Sequence, residues 1–293
     1  MRFSLFLGCT VPNVYPGIEA ATRLTAERLG IELLDMEGAS CCPAPGAFGS
    51  VDKTLWYALG ARNITIAEDL GADIMTVCSG CFGTLFEVNH RLKSHGETRS
   101  RINEILKEVG REFKGEREVR HYVDVLHRDL GVKEIEKRVE RPLKGLKVAV
   151  HYGCHLLKPG GQRAIDSTEN PAILEELIEA TGAQVVEYRD KLLCCGGGGG
   201  VRGTNFDEAI FLASQKLEKV AEVGADLLVN PCSFCTLHYD VSQKDIRERL
   251  DKAFNIPVVH YAQFLALAMG IRPKKVGLQH HAIQVDQVLE KVR

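Results

Sequence analysis

The chain carries one cysteine pattern twice, and this repeat constrains the fold more than any other feature. A lone Cys9 is followed by the adjacent pair Cys41-Cys42 and then by Cys78-Ser-Gly-Cys81. The same order returns as Cys154, Cys194-Cys195 and Cys232-Ser-Phe-Cys235, which uses all ten cysteines. The gaps are 31 and 35 residues in the first set and 39 and 36 in the second. Other residues repeat in step. Gly71-Ala72-Asp73 precedes the first Cys-x-x-Cys and Gly224-Ala225-Asp226 the second, while His121-Tyr122 and His260-Tyr261 each open a late helix. A repeat of this length identifies a tandem duplication of one structural unit.

Within each unit, apolar runs alternate with helical periodicity. Arg2 to Gly8, Ile31 to Met36 and Ala72 to Val77 read as strands, with helices over Pro16 to Leu29 and from Asp52 to Leu70. Asp52 suits a helix N-cap and Gly71 a left-handed C-cap. Helical patterns at Thr98 to Phe113 and Val123 to Leu130 complete the first half. The second half restarts with strands at Lys147 to Tyr152, Ala183 to Tyr188 and Ala225 to Val229, and helices at Asn170 to Thr181 and Asn205 to Val223. This alternation predicts two open α/β domains, Rossmann-like, each with a mainly parallel sheet and its cysteines at the carboxyl ends of the strands. The expected boundaries are 1–132 and 147–293, joined by a charged linker at 133–146 that contains Pro142.

At 293 residues the chain is long enough to bury a core without covalent staples, so ten cysteines are not needed for stability. The apolar run Phe3 to Leu7 is too short for an export signal, and no run of ~18 apolar residues offers a membrane span. The expected location is a reducing cytoplasm, where clustered thiols point to metal or redox chemistry. A net charge of -2 with scattered basic residues argues against nucleic acid as a partner. The glycine run Gly196 to Gly200 ends in Val201 and lacks the acidic strand end of a dinucleotide site.

Four thiolates satisfy a tetrahedral zinc or a cubane cluster, but each set here has five. Adjacent side chains such as those of Cys41 and Cys42 diverge, so they reach two irons more readily than one. That favours an extended multi-iron cluster, with zinc in one half or metal-free dithiols as the competing readings.

The spacing Cys-x(31–39)-Cys-Cys-x(35–36)-Cys-x-x-Cys, met by both halves, resembles the tandem Cys-Cys-Gly domain family. With Ser40-Cys-Cys-Pro-Ala-Pro-Gly46 and His151-Tyr-Gly-Cys-His-Leu-Leu-Lys-Pro159, the whole chain is similar to the B subunits of the soluble heterodisulfide reductases of methanogens. One departure is Pro43 where the family expects glycine after the first cysteine pair.

The resemblance implies two noncubane [4Fe-4S] clusters near the cleft between pseudo-two-fold-related domains. One set of ligands is Cys9, Cys41, Cys42, Cys78 and Cys81; the other is Cys154, Cys194, Cys195, Cys232 and Cys235. It also implies reductive cleavage of the coenzyme M–coenzyme B heterodisulfide, each cluster giving one electron and taking one sulfur. Its anionic substrate makes Lys158, Arg202 and His155 candidate binding residues. The implied partners are a ferredoxin-like C subunit, a flavin-containing A subunit and an upstream hydrogenase or formate dehydrogenase. Two alternatives remain: an electron-carrying iron–sulfur subunit of a glycolate, lactate or succinate oxidoreductase, and a non-enzymatic structural subunit that holds zinc or iron.

Overall fold

Parallel pairing organises the chain into two four-stranded sheets of the same topology. The computed structural model describes residues 1–292. In the first sheet, strands β1 (Arg2–Phe6), β2 (Glu32–Asp35), β3 (Asp73–Thr76) and β4 (Val119–His121) lie in the order β2-β1-β3-β4. In the second, β5 (Lys147–Val150), β6 (Gln184–Val185), β7 (Leu227–Asn230) and β8 (Val258–His260) lie in the order β6-β5-β7-β8. Every pair is parallel, with Phe3 opposite both Leu33 and Asp73 in one sheet and Val148 opposite both Val185 and Leu227 in the other. Such sheets are covered on both faces, and their central strands accordingly bury nearly every residue.

In each sheet the first strand is flanked by the second on one side and the third on the other, so the chain changes direction between them. Ligands bind at that switch, off the carboxyl ends of the strands. Cys9 and Cys78 follow β1 and β3, and Cys154 and Cys232 follow β5 and β7. The fold therefore delivers both sets to the equivalent edge.

Local signals behave as the sequence predicts at several ends. Asp52 accepts a hydrogen bond from the Leu55 amide and caps the helix Lys53–Leu70, which closes on Gly71 at φ 68°. Others differ. Ala183 to Tyr188 shortens to the two-residue strand Gln184–Val185, because only those residues pair with β5. The segment Val123 to Leu130 is mostly a π-helix, Val125–Leu130, after a single turn at Tyr122–Asp124. A short helix, Val132–Lys137, leads into the segment before β5.

His121 and His260 end the short strands β4 and β8 and also cap the helices that follow. Nδ1 of each accepts an amide two residues on, from Val123 at 3.3 Å and Ala262 at 3.1 Å. Nε2 then carries the proton and donates across the molecule, His121 to the Pro231 carbonyl at 3.1 Å and His260 to the Val77 carbonyl at 2.8 Å. Each half thus grips the residue preceding a cysteine of the other half. Tyr15 adds a further tie, donating at 2.6 Å to Asp240, whose carboxylate also takes the amides of Ala282 and Ile283.

Both histidines must be neutral to make these bonds, and burial pushes their pKa values down, to about 3 for His121 and about 4 for His260. The unfolded chain binds these protons near pH 6.5 and the folded chain does not. Their contribution is therefore complete above about pH 6.5 and lost as pH falls toward 4. Thermal melts from pH 7.5 to 4.5 are expected to show a falling Tm through this window, with a shallower slope in His121→Gln.

Candidate metal centre

The ten thiols are brought together into one continuous string. Cys9 interacts with Cys41, Cys41 with Cys42, Cys42 with Cys81 and Cys81 with Cys78. Cys78 and Cys232 then meet across the two halves with sulfurs 3.7 Å apart. Beyond them the order reverses: Cys232 to Cys235, Cys195, Cys194 and finally Cys154, the last pair 3.9 Å apart. Paired as 9 with 154, 41 with 194, 42 with 195, 78 with 232 and 81 with 235, the string is a palindrome. Its centre is the pseudo-two-fold axis. All ten are free thiols.

Each position has a local cause. Gly8 and Gly153, immediately before Cys9 and Cys154, adopt φ of 68° and 77°. A side chain at Gly8 would come within 2.6 Å of the Cys81 sulfur, so the turn into the site needs glycine for conformation and for space. Cys78 and Cys232 are the N-cap residues of the helices Ser79–Ser94 and Ser233–Leu250, where the helix-terminal backbone N–H groups converge.

Each loop bearing an adjacent pair is tied down by an equivalent residue on the helix that follows it. Asn63 binds the Ser40 amide at 2.9 Å and the Cys41 carbonyl at 3.2 Å. Lys216 donates from Nζ to the carbonyls of Asp190 at 2.5 Å and Lys191 at 2.8 Å. The glycine run serves packing as well as binding. The Gly196 amide donates to the Cys194 sulfur at 3.4 Å, and a side chain at Gly197 would meet the His238 ring at 2.7 Å.

The donor chemistry fits a polynuclear metal group. Contacts with Cys41 and Cys81 push the Cys42 thiol down to about 5, while contacts with Cys42 and Cys78 push Cys81 well up. In the second half, Cys154 and Cys195 hold Cys194 far below the thiol range, and contact with Cys194 pushes Cys195 up to about 12. Neighbouring thiols thus compete for protons. All five of a set become thiolates together only when metal cations neutralise them. His151 strengthens the fit: its ring lies within 4.8 Å of the Cys195 and Cys235 sulfurs, and neither nitrogen has a hydrogen-bond partner among the described residues.

A cleft of about 290 Å³ opens between the halves beside Cys154. Trp56, Gly83 and Glu87 line it from the first half, and His155, Lys158 and Arg163 from the second. His155 and the exposed Lys158, both candidates from sequence, are at this cleft. Arg202 is elsewhere, its guanidinium bound to His238 and Ser242 at 2.8 Å each and stacked over Phe206. Arg163 is the cation that sequence reasoning missed. It bonds the His155 carbonyl, faces the Gly83 carbonyl at 3.5 Å and has its pKa pushed down to about 10 by burial. Nothing in its local sequence marks it, because its partners come from tertiary packing.

Comparison with known proteins agrees with this geometry. The cysteine-rich domain model CCG matches twice, at residues 3–86 and 148–240. Over 99% of its length the chain is 46% identical to the B subunit of a ferredoxin:CoB-CoM heterodisulfide reductase from Methanosarcina mazei, covering 97% of that protein. It is 32% identical over 98% of its length to an 8-methylmenaquinol:fumarate reductase membrane anchor subunit from Wolinella succinogenes, covering 99% of it. No helix among the described residues of the present chain is long and apolar enough to cross a membrane. The crystal structure of a hypothetical protein from Helicobacter pylori shares the fold, with a TM-score of 0.74 at 13% identity over 97% of this chain and 52% of that one. With both cysteine-rich domains matched and the relationship extending over nearly its whole length, the chain belongs to the family of heterodisulfide reductase B subunits, oxidoreductase subunits built from two copies of the cysteine-rich domain.

Proposed function

We propose that this chain is the catalytic subunit that reduces the coenzyme M–coenzyme B heterodisulfide to two thiols. Cys9, Cys41, Cys42, Cys78 and Cys81 hold one noncubane [4Fe-4S] cluster, and Cys154, Cys194, Cys195, Cys232 and Cys235 hold a second. The observation that carries this reading is the palindrome of thiols with Cys78 and Cys232 in contact at its centre. Cleaving a disulfide consumes two electrons and two protons and yields two thiols, and the bound clusters would supply those electrons one at a time. Two five-cysteine sets meeting at one axis support this reading, since clusters held there would both lie near one substrate.

The chain's own residues bind and orient. Lys158 and Arg163 bring positive charge to the cleft and suit an anionic substrate. Burial and the neighbouring Arg163 lower the pKa of His155, which keeps its ring neutral near pH 7. It then retains one ring proton beside Cys154. Trp56 and Pro45 line the first-half wall. The expected partners are a ferredoxin-like C subunit and a flavin-containing A subunit, with a hydrogenase or formate dehydrogenase upstream. The ferredoxin in the name of the Methanosarcina mazei relative supports an iron–sulfur electron donor.

The test is iron and acid-labile sulfide content of the anaerobically purified chain, followed by electron paramagnetic resonance with each coenzyme thiol under mild oxidation. About eight irons per chain and a thiol-dependent signal are expected. Zinc in place of half the iron would overturn the reading. Full iron with no response to either thiol would favour the electron-carrying alternative, which the similarity to the Wolinella succinogenes fumarate reductase subunit supports. Lys158→Ala is expected to raise KM for the heterodisulfide about tenfold with kcat little changed, since it removes binding that ground and transition states share.

A further inference from the structure

The two halves repeat each other in their cysteines but not in what surrounds them. His151 stands three residues before Cys154, where the first half has Phe6 three residues before Cys9. Both side chains are 1% exposed. Phe6 offers only a hydrocarbon ring. His151 offers two ring nitrogens, both buried and without a partner among the described residues, within 4.8 Å of the Cys195 and Cys235 sulfurs. Its ring stands edge-on to Tyr239, with centroids 5.1 Å apart, which fixes its plane.

A second asymmetry lies on the neighbouring helix. Counting back from the equivalent glycines Gly71 and Gly224, Asn63 in the first half corresponds to Lys216 in the second. Both are fully buried and both hold the loop of the adjacent cysteine pair. One contributes a neutral amide and the other an amine whose pKa burial pushes down to about 7, against the pull of Asp190 and of the Cys194, Cys195 and Cys235 thiolates toward the charged form.

An unpartnered buried N–H is costly, and the acceptors near the His151 ring are the Cys195 and Cys235 sulfurs. Hydrogen bonds to sulfur and nearby positive charge both stabilise the more negative, reduced state of an iron–sulfur group and raise its potential. We propose that the second-half site holds the higher-potential member of the pair, because His151 donates a ring N–H into it. The first half, with Phe6 at the equivalent position, has no such donor there. An electron entering the chain therefore comes to rest on the second-half site first, giving the duplicated architecture a direction. This inference rests on the reading that both sets hold iron–sulfur clusters.

The experiment is a redox titration of the anaerobically purified holoprotein, followed by electron paramagnetic resonance and visible absorption. Wild type, His151→Phe and His151→Gln are compared with metal content measured in each. Cys195→Ser, which retains only the first-half site, identifies which potential belongs to which half. The wild type is expected to show two potentials separated by at least tenfold in the one-electron equilibrium, about 59 mV. His151→Phe lowers the higher one by a similar factor, leaves the lower one in place and keeps full iron and sulfide. His151→Gln, which retains an N–H donor, falls between the two.

A single shared potential in the wild type overturns the inference, as does an unchanged potential in His151→Phe. Loss of half the iron in His151→Phe also overturns it, by making the imidazole a structural ligand. Absence of iron–sulfur clusters from the wild type would instead remove the functional reading beneath it.

Discussion

Cys195→Ser is expected to abolish heterodisulfide cleavage, by about 1000-fold or more, while the chain stays folded and keeps about four of eight irons. Cys195 is buried and touches both Cys194 and Cys235, so its loss removes a ligand from the middle of the second set. The first set shares no ligand with it, since the two meet only through Cys78 and Cys232. Metal loss should stop at the axis. A factor of 1000 corresponds to about 4 kcal/mol of barrier, modest for a reaction deprived of one of the two electron supplies proposed for it. Metal analysis and a steady-state assay with a reduced viologen dye decide the matter. Retention of more than a tenth of the activity with half the iron would mean that one site suffices, and the two-site mechanism would fall.

His260→Ala is expected to cost about 3–5 kcal/mol of stability, on the order of 10 °C in Tm for a chain of this size. The loss has three parts. The Val77 carbonyl gives up the 2.8 Å bond from Nε2, the helix Tyr261–Ala268 loses its cap, and a cavity opens where a fully buried ring stood. The Val77 carbonyl belongs to the residue before Cys78, so the same substitution should loosen the first-half cysteine set from a position in the second half. Calorimetry and iron release under chelator are the measurements. His260→Asn restores a cap but does not reach Val77, so it should recover part of the stability and little of the chelator resistance. A Tm within 2 °C of wild type for His260→Ala would refute the account.

The cysteine framework was legible because spacing along the chain maps directly onto strand ends in a parallel sheet. Cys9, Cys78, Cys154 and Cys232 follow strands, and the adjacent pairs sit in the loops after β2 and β6. The three-residue strands β4 and β8 were not legible, since they are too short for any periodicity to mark them. Their terminal histidines read as helix openers, which they are, but their second bond, across the molecule, has no local signature. Near the C-terminus, Val285 and Val288 are both buried. His281 is 2% exposed, bonded to Gln263 at 3.1 Å and packed on Tyr15 of the segment leading into the helix Pro16–Arg28, a set of contacts with no local signature. Lys158 and His155 were legible from their nearness to Cys154. Arg163 and His151 were not, since only the folded chain shows what each faces.

The crossed grip of His121 on Pro231 and His260 on Val77 has the form of a contact between two identical molecules, residue i of one on residue j of the other and the reverse. A gene half this long would encode a protein that makes the same contact with its own copy. Fusing two copies kept the interface and released each from being identical to the other. Divergence at single positions, such as Phe6 against His151 or Asn63 against Lys216, then became possible without disturbing the partner position. A homodimer has no means of distinguishing its two ends; the fused chain does.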